Sequence, residues 1–177
     1  MMVFILTQPY PSAADDALIH KVCSNLGDTA SFCVTLLKSD PLSSSADAVG
    51  LAKIALSNFS QHSQSAMDLL NNITTCTPAA TPALGPSNSA HPDQSNCEMR
   101  FQDTVDIAPV MSKGLDQKYY DSVISDLFYL RATTEMCDQE LSQHKCHEYS
   151  PLVEMNNRWN TLLQVCLGLV QTLAGRV

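Results

Sequence analysis

Aromatic residues are scarce in this chain, at 6%, and there is a single Trp. A β-sandwich core usually draws on more of them. A helical bundle filled by Leu, Ala, Ile and Val does not need them. Basic residues are also few: 10 Lys and Arg stand against 18 Asp and Glu, for a net charge of −8. That balance excludes nucleic acid, whose phosphates need cationic partners, and anionic membrane surfaces. It leaves room for a basic protein partner. With only 6 Gly there is no glycine-rich phosphate loop. No Ser, His and Asp set forms a recognisable local motif, so the chain is expected to be no enzyme and to need no cofactor. No stretch approaches the ~20 apolar residues of a membrane span, and no strand pattern is long enough to matter.

What is present is a heptad. Across Pro151 to Gly175 the apolar residues are Leu152, Met155, Trp159, Leu162, Cys166, Leu169 and Leu173, spaced alternately three and four. That spacing predicts a helix with one face meant for burial against other helices. Ser150 suits the N-cap, Pro151 the first turn and Gly175 the stop. Three further segments carry similar patterns. The first runs from about Ala46 to Thr75, with seam Ala48, Ala52, Ala55, Phe59, His62, Ala66, Leu69 and Ile73. The second runs from about Ser95 to Lys113, with Cys97, Phe101, Val105, Ala108 and Met111 inward. Pro109 should bend or shorten it, and Gly114 should end it. The third runs from about Asp116 to Leu141, with seam Tyr120, Val123, Leu127, Leu130, Thr134, Cys137 and Leu141. The expected fold is all-α: an antiparallel up-down four-helix bundle over 46–175, interrupted by a Pro-rich linker over 77–96. A helical hairpin over 15–40 precedes it. Ala17, Leu18, Val22 and Leu26 mark its first arm. Gly27 and Asp28 make its bend, with Asp28 placed to cap the second arm, whose apolar side is Phe32, Leu36 and Leu37.

Residues 15–177 read as one domain. Residues 1–14 read as a short or truncated signal peptide, because an apolar run is followed by Ser12-Ala13-Ala14. Two N-glycosylation sequons, at Asn58 and Asn72, and seven cysteines also suit a secreted, oxidised protein. The two Asn share a face beside the first seam, and both could carry glycan only if that face is exposed. Cys23 and Cys33 flank the hairpin bend and could staple it. With four alternating helices, Cys97 and Cys137 come to one end of the bundle. Cys76 and Cys146 come to the same end, so both long-range pairs are feasible. Cys166, within the last seam, is expected to stay a buried thiol. Each long-range bridge would stabilise the fold by roughly 3–4 kcal/mol. His144, Cys146 and His147 are too few, at the wrong spacings, for a zinc site, so no metal is expected. His62 reads as a seam histidine rather than a ligand.

These residues also carry a resemblance. Cys23 and Cys33, then Leu36 and Ser39-Asp40-Pro41, open onto a long Ala-rich helix. The run Cys97-Glu98-Met99-Arg100-Phe101-Gln102-Asp103-Thr104-Val105-Asp106 follows. Gly114, Tyr119 and Tyr120 come next, and then Thr133 and Thr134 ahead of Cys137 and Asp138. In this order they resemble the plant invertase and pectin methylesterase inhibitor family. The resemblance implies the same hairpin and bundle, secretion to the plant cell wall, and the disulfides Cys23–Cys33 and Cys97–Cys137. It implies a one-to-one complex with pectin methylesterase, in which Phe101, Asp103, Asp106, Thr133 and Thr134 are the candidate contacts. The family's invertase inhibitors instead present a Pro-Lys-Phe turn between the second and third bundle helices. This chain has Asp116-Gln117-Lys118-Tyr119 there, with Tyr120 as a second choice for the aromatic, so Lys118, Tyr119 and Tyr120 would face an acid invertase. From composition alone, Asp103, Asp106, Asp116, Asp121 and Asp126 read as a solvated acidic face, and it is the resemblance that makes them contacts. The expectation from another class is a secreted ligand-binding or allergen-like bundle without inhibitory activity.

Overall fold

The structure, a computed structural model, describes residues 13–72, 94–143 and 150–176. Its helices are α1 Ala13–Cys23, α2 Ala30–Lys38, α3 Ala48–Asn72, α4 Gln94–Asp116, α5 Tyr120–Ala132, α6 Thr134–Gln143 and α7 Ser150–Leu173. There is no strand among the described residues. Residues 1–12 of the expected signal segment 1–14, most of the Pro-rich linker, Cys76, Cys146 and the His144–His147 cluster lie outside them, and Ala13 and Ala14 belong to α1.

α3, α4, α5 with α6, and α7 form the bundle, each antiparallel to the one before. Residue pairs fix these directions. Lys53 near the start of α3 holds Asp116 at the end of α4, with Nζ to Oδ1 2.8 Å. Cys97 near the start of α4 is bonded to Cys137 in α6. Arg176 after α7 pairs with Asp121 at the start of α5. The core is fully buried Leu51, Ala52, Phe59, Phe101, Met111, Leu115, Leu127, Leu130, Trp159 and Cys166 with their neighbours. Cys166 is a free thiol there, and burial raises its pKa. Cys23 is bonded to Cys33 across the hairpin, as its two arms suggested. The hairpin docks beside α3 and α7: Leu26 touches Gly168, and the Arg158 guanidinium lies 5.9 Å from the Phe32 ring centroid.

The seams are wider than a heptad strip, because each helix packs against two neighbours and α3 and α7 also meet the hairpin. On α3, Leu51, Leu56, Ser63 and Leu70 are buried, whereas Ala48, His62 and Leu69 are only partly so. On α7, Leu163, Val165, Leu167 and Val170 join the expected residues. Ala17 is exposed, and Ile19 takes the inward place on α1. Thr29, not Asp28, stands at the N-cap of α2, and it makes no side-chain capping bond.

Three larger expectations are corrected. Pro109 does not shorten α4, which runs 23 residues. Pro109 is exposed, and the buried residues Phe101, Thr104, Ala108, Met111 and Leu115 flank it, so packing outweighs one lost backbone bond. Gly114 does not end α4 either. It lies where α4 crosses α5, and a Cβ there would come within 2.8 Å of Val123 Cγ2. The helix stops instead at Lys118, which has φ +60°. Tyr119 N–H donates to the Gly114 carbonyl (2.8 Å) and Lys118 N–H to the Leu115 carbonyl (3.1 Å). This is the Schellman pattern, with Lys where glycine is usual. α7 closes the same way with Gly175, at φ +66°. Finally, the third bundle helix is two pieces. Thr133 interrupts it, its hydroxyl donating to the Leu130 carbonyl at 2.8 Å. Nor does Asp116 open it: Asp116 belongs to α4 and pairs with Lys53, and α5 starts at Tyr120.

Candidate functional site

The outward side of α4 carries Met99, Asp103, Asp106 and Val110, spaced four, three and four. That is a second stripe, pointing away from the core. Met99 is 55% and Val110 63% exposed. On the adjoining α5, Tyr129 is 51% exposed, and its hydroxyl donates to Asp103 Oδ2 at 3.0 Å. This bond ties the two helices on their outer side. The hydrogen bond to Asp103, together with the nearby carboxylate charge, raises the Tyr129 pKa and keeps the phenol protonated. Asp106 is exposed and accepts from Gln102 Nε2 at 2.9 Å within its own helix. Asp126 is half-buried on α5, and desolvation raises its carboxyl pKa. Thr133, partly buried at the break, continues the row toward exposed Met136. The result is a ridge of acceptors and hydroxyls with apolar flanks.

Not every expected residue reaches this ridge. Phe101 is 0% exposed and packs in the core, so it cannot touch a partner in this fold. The same periodicity that put it on the α4 seam removed it from the surface. The side chain of Thr134 lies outside the described residues. Asp116 and Asp121 sit at the far end of the bundle in ion pairs with Lys53 and Arg176. The five aspartates therefore do not form one acidic face. Tyr129 was missed from sequence; the only signal for it was an aromatic outside its helix's seam.

That far end presents the Lys118 turn. Lys118 and Tyr119 are exposed, Tyr119 by 63%, while Tyr120 packs partly against the core. Lys118, Tyr119 and Tyr120 line a notch with Asp121, Ser122 and Ala174. The left-handed backbone at Lys118 and the crossing at Gly114 set the direction in which the turn projects.

A buried polar layer holds the helices in register. Trp159 Nε1 donates to Ser63 Oγ (3.1 Å) and Thr104 Oγ1 (3.2 Å). The Arg100 guanidinium stacks 3.7 Å from the Trp159 ring centroid and donates to Asn160 Oδ1 at 3.0 Å. Burial lowers the Arg100 pKa to about 10, partly offset by Asp138, so it stays cationic. Asn156 donates to Asp138 beside the Cys97–Cys137 bridge. His62 Nε2 donates to the Met155 carbonyl at 2.8 Å, and burial lowers the His62 pKa. No group of three or more His, Cys, Asp or Glu among the described residues is arranged to hold a metal ion.

Fold and surface define a class, a disulfide-stapled helical bundle preceded by a helical hairpin and carrying a structured outer ridge. The chain belongs to the plant invertase/pectin methylesterase inhibitor family, whose model matches residues 17–169. No curated protein matches it. The family consists of proteinaceous inhibitors rather than enzymes, and membership supports inhibition of pectin methylesterase or invertase through binding to such a carbohydrate-active enzyme. The family is typically extracellular, and no described helix is long and apolar enough to cross a membrane.

Proposed function

We propose that this protein is secreted to the plant cell wall and inhibits pectin methylesterase by laying the outer ridge of α4 and α5 over the enzyme's active-site cleft. The complex is one-to-one and involves no chemistry on the inhibitor. The observation that carries this reading is the Tyr129–Asp103 bond with exposed Met99 and Val110 beside it. A bond between adjacent helices fixes two polar side chains before binding, which lowers the ordering cost of association. Tyr and Met are enriched in interface cores, and the surrounding carboxylates select a basic partner surface. Asp103, Asp106, Tyr129 and Thr133 are the contact residues.

A second reading has its own observation. Lys118 is held in a left-handed conformation that costs a non-glycine residue free energy, and such strain concentrates at functional sites. Under this reading the Lys118–Tyr119 turn enters the acidic pocket of an acid invertase. Titration of the oxidised protein against a plant pectin methylesterase and a plant acid invertase separates the two, at cell-wall acidity and at neutral pH. Stoichiometric loss of methylesterase activity is expected, and Asp103→Ala with Tyr129→Phe should weaken it about 30-fold or more, the size of a hot-spot loss. Loss of invertase activity that disappears in Lys118→Ala would transfer the assignment to the turn. If neither enzyme is affected, both readings fail and the bundle serves another ligand.

A further inference from the structure

The two sequons were expected to lie on one exposed face of α3. The structure separates them. Asn58 is half-buried, and its Nδ2 donates to the Ile54 carbonyl at 3.0 Å. It lines a groove of about 170 Å³ with Leu36 of the hairpin, His62 of α3, and Arg158 and Leu162 of α7. The next residue, Phe59, is fully buried, its ring centroid 4.8 Å from that of Trp159. Asn58 is thus held between the hairpin and α7, with the neighbouring residue anchored in the core. Asn72 makes the same kind of bond one turn back but differs in exposure and surroundings. It is exposed, and it is the last residue of α3. Its Nδ2 donates to the Asp68 carbonyl at 2.7 Å. An amide nitrogen has two hydrogens, so one can be replaced while that bond is kept.

We propose that Asn72 carries the N-glycan of the folded protein and that a glycan on Asn58 is incompatible with docking of the hairpin and α7. The donor is an oligosaccharide linked to a lipid pyrophosphate. The sugar C1–Nδ2 bond forms, the C1–O bond to pyrophosphate breaks, one amide proton is lost, and the lipid pyrophosphate leaves. Nothing is oxidised or reduced. Asn72 lies 19 residues along α3 from Lys53, which pairs with Asp116 at the turn end of the bundle. At 1.5 Å per residue that is about 29 Å. α3 adjoins α4 and α7, whereas the ridge runs along the opposite flank of α4 with α5. At that distance a glycan at Asn72 leaves the Lys118 turn open.

This inference rests on secretory routing, so the test supplies the routing. The chain is expressed behind a standard leader in a eukaryotic secretory host, as wild type, Asn58→Gln and Asn72→Gln. Intact masses are compared before and after peptide-N-glycosidase. One glycan is expected on wild type and on Asn58→Gln, and none on Asn72→Gln. A glycan retained in Asn72→Gln, two glycans on wild type, or none on wild type would overturn the assignment. Asn72→Gln changes an exposed helix end, so its result stands even if Asn58→Gln fails to fold. Whether the protein inhibits either enzyme does not enter this readout.

Discussion

Gly114→Ala gives a test of sign. In an ordinary helix interior, replacing Gly with Ala stabilises by about 1 kcal/mol. Here the new Cβ would lie 2.8 Å from Val123 Cγ2, closer than real Cβ contacts come. Val123 is buried, and a valine in a helix has one strongly preferred rotamer, so the methyl cannot swing aside. Overpacking of this kind costs about 1–3 kcal/mol. Subtracting the propensity gain leaves a net loss of about 1 kcal/mol, or a Tm about 2–4 °C lower for a domain of this size. A terminal glycine in the left-handed conformation would also resist Ala, so the single variant does not separate the two causes. The double variant does. Val123→Ala alone opens a cavity and destabilises. Combined with Gly114→Ala, it makes room for the new methyl, so the pair should be more stable than the sum of the singles by about 1 kcal/mol or more. Urea unfolding of the four oxidised proteins measures the cycle. A more stable Gly114→Ala, or additive effects in the double variant, would refute the close crossing of α4 and α5.

At Lys118 the order of stability by thermal melting should be Gly at or above Lys, with Val lowest, because the left-handed backbone is worst for a β-branched residue. Cys97 and Cys137 are 40 residues apart, so replacing both with Ser should cost about 4 kcal/mol; Cys23 and Cys33, 10 apart, should cost about 3. Denaturant midpoints of the two double variants would show that ranking. His62 has a lowered folded pKa, chiefly from burial and further from Arg158, against the opposing bond to Met155. The unfolded state therefore takes up a proton first, and stability is lost as pH falls through the unfolded value of 6.5 toward the lower folded one. His62→Gln should remove that part of the pH dependence, which unfolding between pH 7 and 5 would measure.

Much of this fold is legible in the linear order of residues. The three-and-four spacing of Leu152, Trp159, Leu162 and Cys166 requires a buried helical face whatever surrounds it, because 3.6 residues per turn place them together. Cys23 and Cys33 about a glycine bend imply a stapled hairpin, since both arms are local. The inward set of α4 could be read the same way, including Phe101, whose burial then excludes it from any contact surface. What depends on neighbours could not be read. Gly114 looks like a stop, and only the approach of Val123 from α5 makes it a crossing point. Lys118 carries no sign of a left-handed conformation, because the backbone bonds from Tyr119 and Lys118 to α4 impose it. Asp116 and Asp121 look like part of an acidic face until Lys53 and Arg176, each more than fifty residues away, are brought to them. Asn58 and Asn72 are equivalent as sequons, and the docked hairpin makes them unequal. The sequence by itself determined which residues turn inward, since that follows from helical period and transfer free energy. Only the tertiary structure decided which outward residues are paired, covered or left to meet a partner, since those outcomes belong to contacts between segments distant in the chain.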